Sequence, residues 1–143
     1  MEVFVANEQE VSVDESRLST LASHVLAAED VEEDVELSIL LVTTGHMKEL
    51  NHRFAGENRP TDVLAFPMED EDDVTLLGDV VICPQIAQRN ARRIGHSLRE
   101  ELDVLLVHGM LHLLGYDHQG REDRAEMERR LKEVLVTFKP VQV

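Results

Sequence analysis

Several kinds of residue and segment are scarce in this chain, and each absence excludes a class of protein. Its 143 residues include one cysteine, Cys83, so no disulfide can form within the chain. Tryptophan is absent, and there are only one tyrosine and four phenylalanines, so aliphatic residues must supply the core. No segment is long and apolar enough to cross a membrane, and the start, MEVFVANEQE, lacks the pattern of a signal peptide. We therefore expect a cytoplasmic protein with no membrane or disulfide partner.

Positive charge is also scarce. The chain contains 14 Lys and Arg residues and 29 Asp and Glu residues, which gives a formal net charge of −15. This balance argues against indiscriminate binding to nucleic acid, which relies on a basic surface. The charge is uneven, however, because residues 84–98 contain no acid and carry Arg89, Arg92 and Arg93. A local basic surface is therefore compatible with an acidic chain.

Hydrophobic patterning predicts about four strands and five helices. Residues 35–43, 62–67 and 76–83 have the composition of strands. Pro84 and Gly95 suit the two ends of one helix, and Ser97 with Glu100 matches the capping box that opens the next. We expect an α+β domain spanning residues 1–143, with a single mixed four-stranded sheet covered by about five helices.

Three histidines in the segment LLVHGMLHLLGYDHQG carry the clearest chemical signal. His108 and His112 are four residues apart, so both project from one face of the predicted central helix, and His118 follows a turn at Gly115. Three imidazoles leave a fourth position for water, as in catalytic zinc sites, and zinc lowers the pKa of that water to about 7. The sequence predicts one zinc ion per chain, although the same ligands also suit nickel.

The spacing also fits the zinc peptidase pattern H-E-x-x-H-x-x-G-x-x-H at every ligand and turn position. Gly109 stands where those peptidases have the glutamate that acts as general base. A proteolytic mechanism would lack its proton acceptor here. The residues alone assign neither the general acid nor the general base.

Three stretches together resemble a particular family. HGMLHLLGYDH (residues 108–118), PTDVLAFP (residues 60–67) and LGDVVIC (residues 77–83) are similar to the signatures of the bacterial YbeY family of rRNA-maturation endoribonucleases. The resemblance implies a zinc hydrolase that cuts single-stranded RNA. It also implies a role in 16S rRNA 3′-end maturation and ribosome quality control, with rRNA and the small ribosomal subunit as partners.

Some residues have two interpretations or depart from the family pattern. Tyr116 and Asp117 either orient an imidazole ligand or only shape the turn. The three arginines of residues 84–98 either follow an RNA backbone or form an ordinary solvated helix face. Many members have an arginine where this chain has Ala55, and Arg53 or Arg59 are the candidates to replace it.

Two other functions remain open from the sequence. The first is a ribosome-assembly factor whose zinc is mainly structural, motivated by the missing general base and the missing arginine. The second is a zinc peptidase, which Gly109 disfavours.

Overall fold

The computed structural model describes residues 2–31, 34–68, 76–116 and 120–138. Within these ranges the predicted α+β class, with one mixed four-stranded sheet and five helices, is confirmed. The strands are β1 (Glu2–Asn7), β2 (Glu36–Leu41), β3 (Val63–Pro67) and β4 (Leu76–Ile82). The helices are α1 (Glu15–Ala28), α2 (Thr44–Ala55), α3 (Pro84–Ile94), α4 (Leu98–Leu113) and α5 (Arg121–Thr137). None of these helices is long and apolar enough to span a bilayer.

The sheet has the strand order β1-β2-β4-β3. β1, β2 and β4 run parallel, whereas β3 runs antiparallel to β4, with Val63 opposite Ile82 and Pro67 opposite Gly78. β3 is therefore one edge of the sheet and β1 is the other. Among the described residues, no strand pairs with the outer side of β3.

The two faces of the sheet are covered by different helices. Val80 and Ile82 belong to the large cluster formed with α1, α4 and α5, while Val81 between them belongs to a smaller cluster with Met47 of α2. This alternation follows from the pleat, which sends successive side chains to opposite faces. Most of α4 is buried, so the predicted central helix is confirmed.

Local signals in the sequence set both ends of α4. The Ser97 hydroxyl accepts a hydrogen bond from the Glu100 backbone N–H at 3.1 Å, and the Glu100 carboxylate accepts one from the Ser97 N–H at 3.2 Å. After Leu113 the chain turns at Gly115, whose φ of 99° lies in the left-handed region that favours glycine. The helix that carries His108 and His112 is thus bounded where the sequence predicted.

Candidate active site

His108 and His112 line the same cavity. They lie one turn apart on α4, and the facing wall of this cavity, of about 210 Å³, consists of residues 63–65 of the edge strand β3. His108 is half-buried and His112 is exposed. The predicted shared face of the two imidazoles is confirmed, and the structure adds that they open onto the antiparallel edge of the sheet.

Gly109 allows α4 to lie close to the sheet between the two histidines. A Cβ atom added at Gly109 would lie 2.8 Å from Val80 Cγ1 and 3.5 Å from Val63 Cγ2. A side chain at this position contacts β4 directly. The γ-carbons of valine cannot easily move aside, because its β-branched side chain has restricted χ1 rotamers. The larger side chain of the glutamate in zinc peptidases would therefore push the helix away from the sheet, so packing favours glycine at this position.

A second cavity of about 220 Å³ lies on the α5 side of His108. Its other lining residues, all on α5, are Arg124, Met127, Glu128 and Leu131. Sequence reasoning did not single out Arg124 or Glu128. No local spacing connects them with His108, because only the packing of α5 on α4 brings them together.

His118 and Asp117 lie outside the described residues, so the third predicted ligand stays a prediction. Across the described ranges, no group of three or more His, Cys, Asp or Glu side chains is arranged to hold a metal. The donors that do meet are the imidazoles of His108 and His112 at one cavity. Imidazole is a ligand that zinc prefers, so this donor set fits the predicted metal and needs at least one further protein ligand.

The Tyr116 hydroxyl donates a hydrogen bond to Glu29 Oε2 at 2.8 Å. Glu29 follows α1 and is also paired with Arg130 of α5. Burial raises the pKa of Tyr116, and the hydrogen bond to Glu29 raises it further. The hydroxyl is therefore neutral and bound to a carboxylate; the prediction that Tyr116 orients an imidazole remains a prediction.

Arg89, Arg92 and Arg93 are exposed on α3. This helix is tied to the start of β3, because Asn90 Nδ2 donates to Asp62 Oδ2 at 3.2 Å and Asp62 immediately precedes β3. The arginine-bearing helix is thus anchored beside the strand that lines the histidine cavity. A role for these arginines in binding RNA stays a prediction.

The two candidate replacements for the missing family arginine lie near the end of α2. Arg59 forms an exposed ion pair with Glu57 at 3.0 Å, so its guanidinium already has a partner. Arg53 lies with its Cζ 6.0 Å from the centroid of the Phe54 ring. Ala55 itself is exposed at the last position of α2.

The two imidazoles that line the histidine cavity could supply two of the three protein ligands of a metal-assisted hydrolytic site. The model of the family Endoribonuclease YbeY matches residues 4–139. The chain belongs to the YbeY family and is an endoribonuclease, a hydrolase that acts on RNA.

Individual relatives agree over nearly the whole chain. The Endoribonuclease YbeY of Thermobifida fusca is 45% identical over 147 residues, covering 97% of this chain and 95% of the relative. That of Frankia casuarinae is 46% identical over 150 residues, covering 96% of this chain and 75% of the relative. A solution structure of a Thermotoga maritima protein is similar, with a TM-score of 0.62, 32% identity, and coverage of 94% of this chain and 89% of that one.

Proposed function

We propose that the chain is a zinc-dependent endoribonuclease specific for single-stranded RNA, acting in 16S rRNA 3′-end maturation and ribosome quality control. Family membership supports the cleavage of RNA. The observation that carries the metal-dependent mechanism is that His108 and His112 line one open cavity. The proposed partners are rRNA and the small ribosomal subunit, which places the protein in the cytoplasm, where ribosomes assemble.

His108, His112 and His118 would hold one zinc ion, and residues 1–143 would form one metallo-hydrolase domain around it. Zinc supplies Lewis acidity, which lowers the pKa of a bound water and offsets negative charge on phosphoryl oxygens. The wall that faces the two histidines is apolar, consisting of Val63, Leu64 and Ala65 of β3. Arg89, Arg92 and Arg93 would bind phosphates on the approach.

The test compares His112→Ala with His46→Ala, a histidine at the start of α2 that does not line the cavity. Both variants are loaded with zinc, analysed for metal content and assayed on single-stranded and duplex RNA of the same sequence. We expect His112→Ala to lose bound zinc and cleavage, His46→Ala to keep both, and the duplex to resist cleavage. Full cleavage by zinc-treated His112→Ala would overturn the metal mechanism.

A ribosome-assembly role with structural zinc is the second candidate, and the observation that favours it is Ala55 at the position of the family arginine. In that case chelation would unfold the chain or abolish ribosome binding, and the purified protein would show no turnover of RNA before chelation. A peptidase is disfavoured by the contact that any side chain at Gly109 would make with Val80. Cleavage of an unstructured protein by the zinc-loaded chain would restore that candidate.

A further inference from the structure

Phe54 is an exposed aromatic residue in a chain with few aromatics. It is 60% exposed at the end of α2, although the chain has only four phenylalanines and no tryptophan. Its ring meets the ring of Phe66 edge-on, with centroids 5.1 Å apart and an interplanar angle of 62°. The contact with Phe66 fixes the Phe54 ring from one side and leaves most of it open to solvent.

The Phe54–Phe66 pair and the histidine cavity share the strand β3 but lie on opposite faces of the sheet. Residues 63–65 of β3 line that cavity, and Phe66 is the next residue of the strand. At about 3.3 Å per residue, Phe66 is roughly 3–10 Å along the strand from the residues of the cavity wall. Phe66 packs on the α2 side of the sheet, so an RNA strand that reaches both sites passes over the outer edge of β3, with which none of the described strands pairs.

Arg53 supplies positive charge beside the Phe54–Phe66 pair. Arg53 Cζ lies 6.0 Å from the Phe54 centroid, at the outer limit of a cation–π contact. In a chain of net charge −15, an arginine beside an exposed ring provides both attraction for a phosphate and a surface for a base. Proteins bind unpaired bases by stacking them on aromatic rings and guanidinium planes, largely independently of base identity.

We propose that Phe54, supported by Phe66 and flanked by Arg53, is a stacking platform for an unpaired base of the RNA substrate, on the opposite face of the sheet from the His108–His112 cavity and reached from it over the edge strand β3. This inference rests on RNA being the substrate, as in the proposed function, but does not depend on zinc. It also gives a physical reason for single-strand specificity, because only an unpaired base exposes its face to a ring.

The test compares Phe54→Ala with Phe54→Trp and with Phe4→Ala. Phe4 is a matched control, since it is 53% exposed on β1 at the opposite edge of the sheet. Equilibrium binding is measured by the fluorescence of 2-aminopurine in a single-stranded RNA, with all variants in the His112→Ala background to suppress turnover. kcat and KM are measured on the zinc-loaded proteins without that background change.

Loss of one stacked base is expected to raise Kd and KM roughly five- to 100-fold for Phe54→Ala. kcat should change little, and the quenching of 2-aminopurine should disappear. Phe54→Trp should restore binding and quenching, and Phe4→Ala should behave as wild type. Circular dichroism and thermal melting establish that the variants are folded.

Unchanged Kd, KM and quenching in Phe54→Ala would overturn the inference while leaving the endoribonuclease function intact. Equal losses in Phe54→Ala and Phe4→Ala would also overturn it, since the effect would not be local. A change of oligomeric state on sedimentation, with RNA binding unchanged, would assign the Phe54–Phe66 pair to a second copy of the chain instead. A wild-type protein that binds and quenches the RNA without cleaving it would contradict the proposed function and leave the stacking inference standing.

Discussion

The Tyr116 hydroxyl donates a hydrogen bond to Glu29 Oε2 at 2.8 Å, joining the exit of α4 to the end of α1. The other oxygen of Glu29 is paired with Arg130 of α5, and Arg130 also donates to the Ala28 carbonyl at 2.7 Å. Three helices therefore meet at one carboxylate, whose side chain is only 11% exposed. Tyr116 precedes His118 by two residues, so Glu29 anchors the chain just before the predicted third ligand.

Glu29→Gln should weaken zinc binding by up to about tenfold, because Glu29 holds Tyr116, two positions before the predicted ligand His118, and does not hold a predicted ligand itself. The amide of Gln lacks the negative charge of the carboxylate that binds both Tyr116 and Arg130. The turn after α4 is therefore held less firmly against α1 and α5. Zinc affinity is measured by competition with a chromophoric chelator, and the visible spectrum of the cobalt-substituted protein reports coordination directly.

The matched control for Glu29→Gln is Glu133→Gln. The Glu133 carboxylate also accepts a hydrogen bond from Arg130, at 2.9 Å, but its side chain is 51% exposed. Equal zinc affinities for the two variants would contradict a positioning role for Glu29.

Gly109→Ala should destabilise the fold by up to about 2 kcal/mol. The added Cβ would lie 2.8 Å from Val80 Cγ1, and overpacking of this kind costs about 1–3 kcal/mol, which the higher helix propensity of alanine offsets by up to about 1 kcal/mol. Urea denaturation measures the difference. Val80→Ala should cost less stability in the Gly109→Ala background than in wild type, because both substitutions affect the same contact.

Gly45→Ala is the control for the effect of helix propensity. Gly45 lies in the first turn of α2, and a Cβ there would meet nothing within 4 Å. This substitution should leave stability unchanged or raise it by up to about 1 kcal/mol. Similar losses for Gly45→Ala and Gly109→Ala would show that the contact with Val80 is not the cause.

Features of the fold that depend on nearby residues were predictable from the sequence. The capping box of Ser97 and Glu100 starts α4, Gly115 ends it, and the i, i+4 spacing places His108 and His112 on one face. Each of these depends on atoms within one or two helical turns. The strand at residues 62–67 was also predicted, but its place at the antiparallel edge depends on pairing with β4.

The remaining features of the site depend on contacts between distant segments. Glu29 and Tyr116 are 87 positions apart, and Phe54 meets Phe66 only because α2 packs against the sheet beside β3. The sequence showed that Gly109 replaces a peptidase glutamate, but only the approach of Val80 gives the physical reason. No spacing rule connects such residues, because their proximity is produced by tertiary packing.

Glu100→Gln should reduce stability at neutral pH but not in acid. Hydrogen bonds from the Ser97 backbone and hydroxyl hold the pKa of Glu100 below its ordinary value of 4.5. A depressed pKa contributes stability that is present above pH 4.5 and lost as the pH falls through the folded-state pKa. The difference in unfolding free energy between wild type and Glu100→Gln, measured from pH 7 to pH 3, should therefore shrink below pH 4.5. Glu49→Gln, at an exposed carboxylate of α2, serves as control, and a difference that is undiminished at pH 3 would contradict the assignment.

Cys83 should be inert in the native protein because its thiol is buried. It is fully buried in the smaller cluster beside Val42 and Val81. Burial raises the pKa of the thiol above its ordinary value of 9.0, although the backbone N–H groups of Ile86 and Gln85 oppose the shift. The thiolate is the reactive form, so alkylation by iodoacetamide at pH 8 should be on the order of 100-fold slower in native than in urea-unfolded protein.

The same raised pKa has a consequence for stability. A raised pKa contributes stability that is complete below pH 9.0 and lost as the pH rises through the folded-state value. Wild type should therefore lose stability above pH 9 more steeply than Cys83→Ala, when both are followed by urea denaturation between pH 7 and pH 10.5. Alkylation of the native thiol at the rate of the unfolded protein would show that Cys83 is accessible. Parallel losses of unfolding free energy above pH 9 in wild type and Cys83→Ala would show that the thiol ionises as an exposed thiol does.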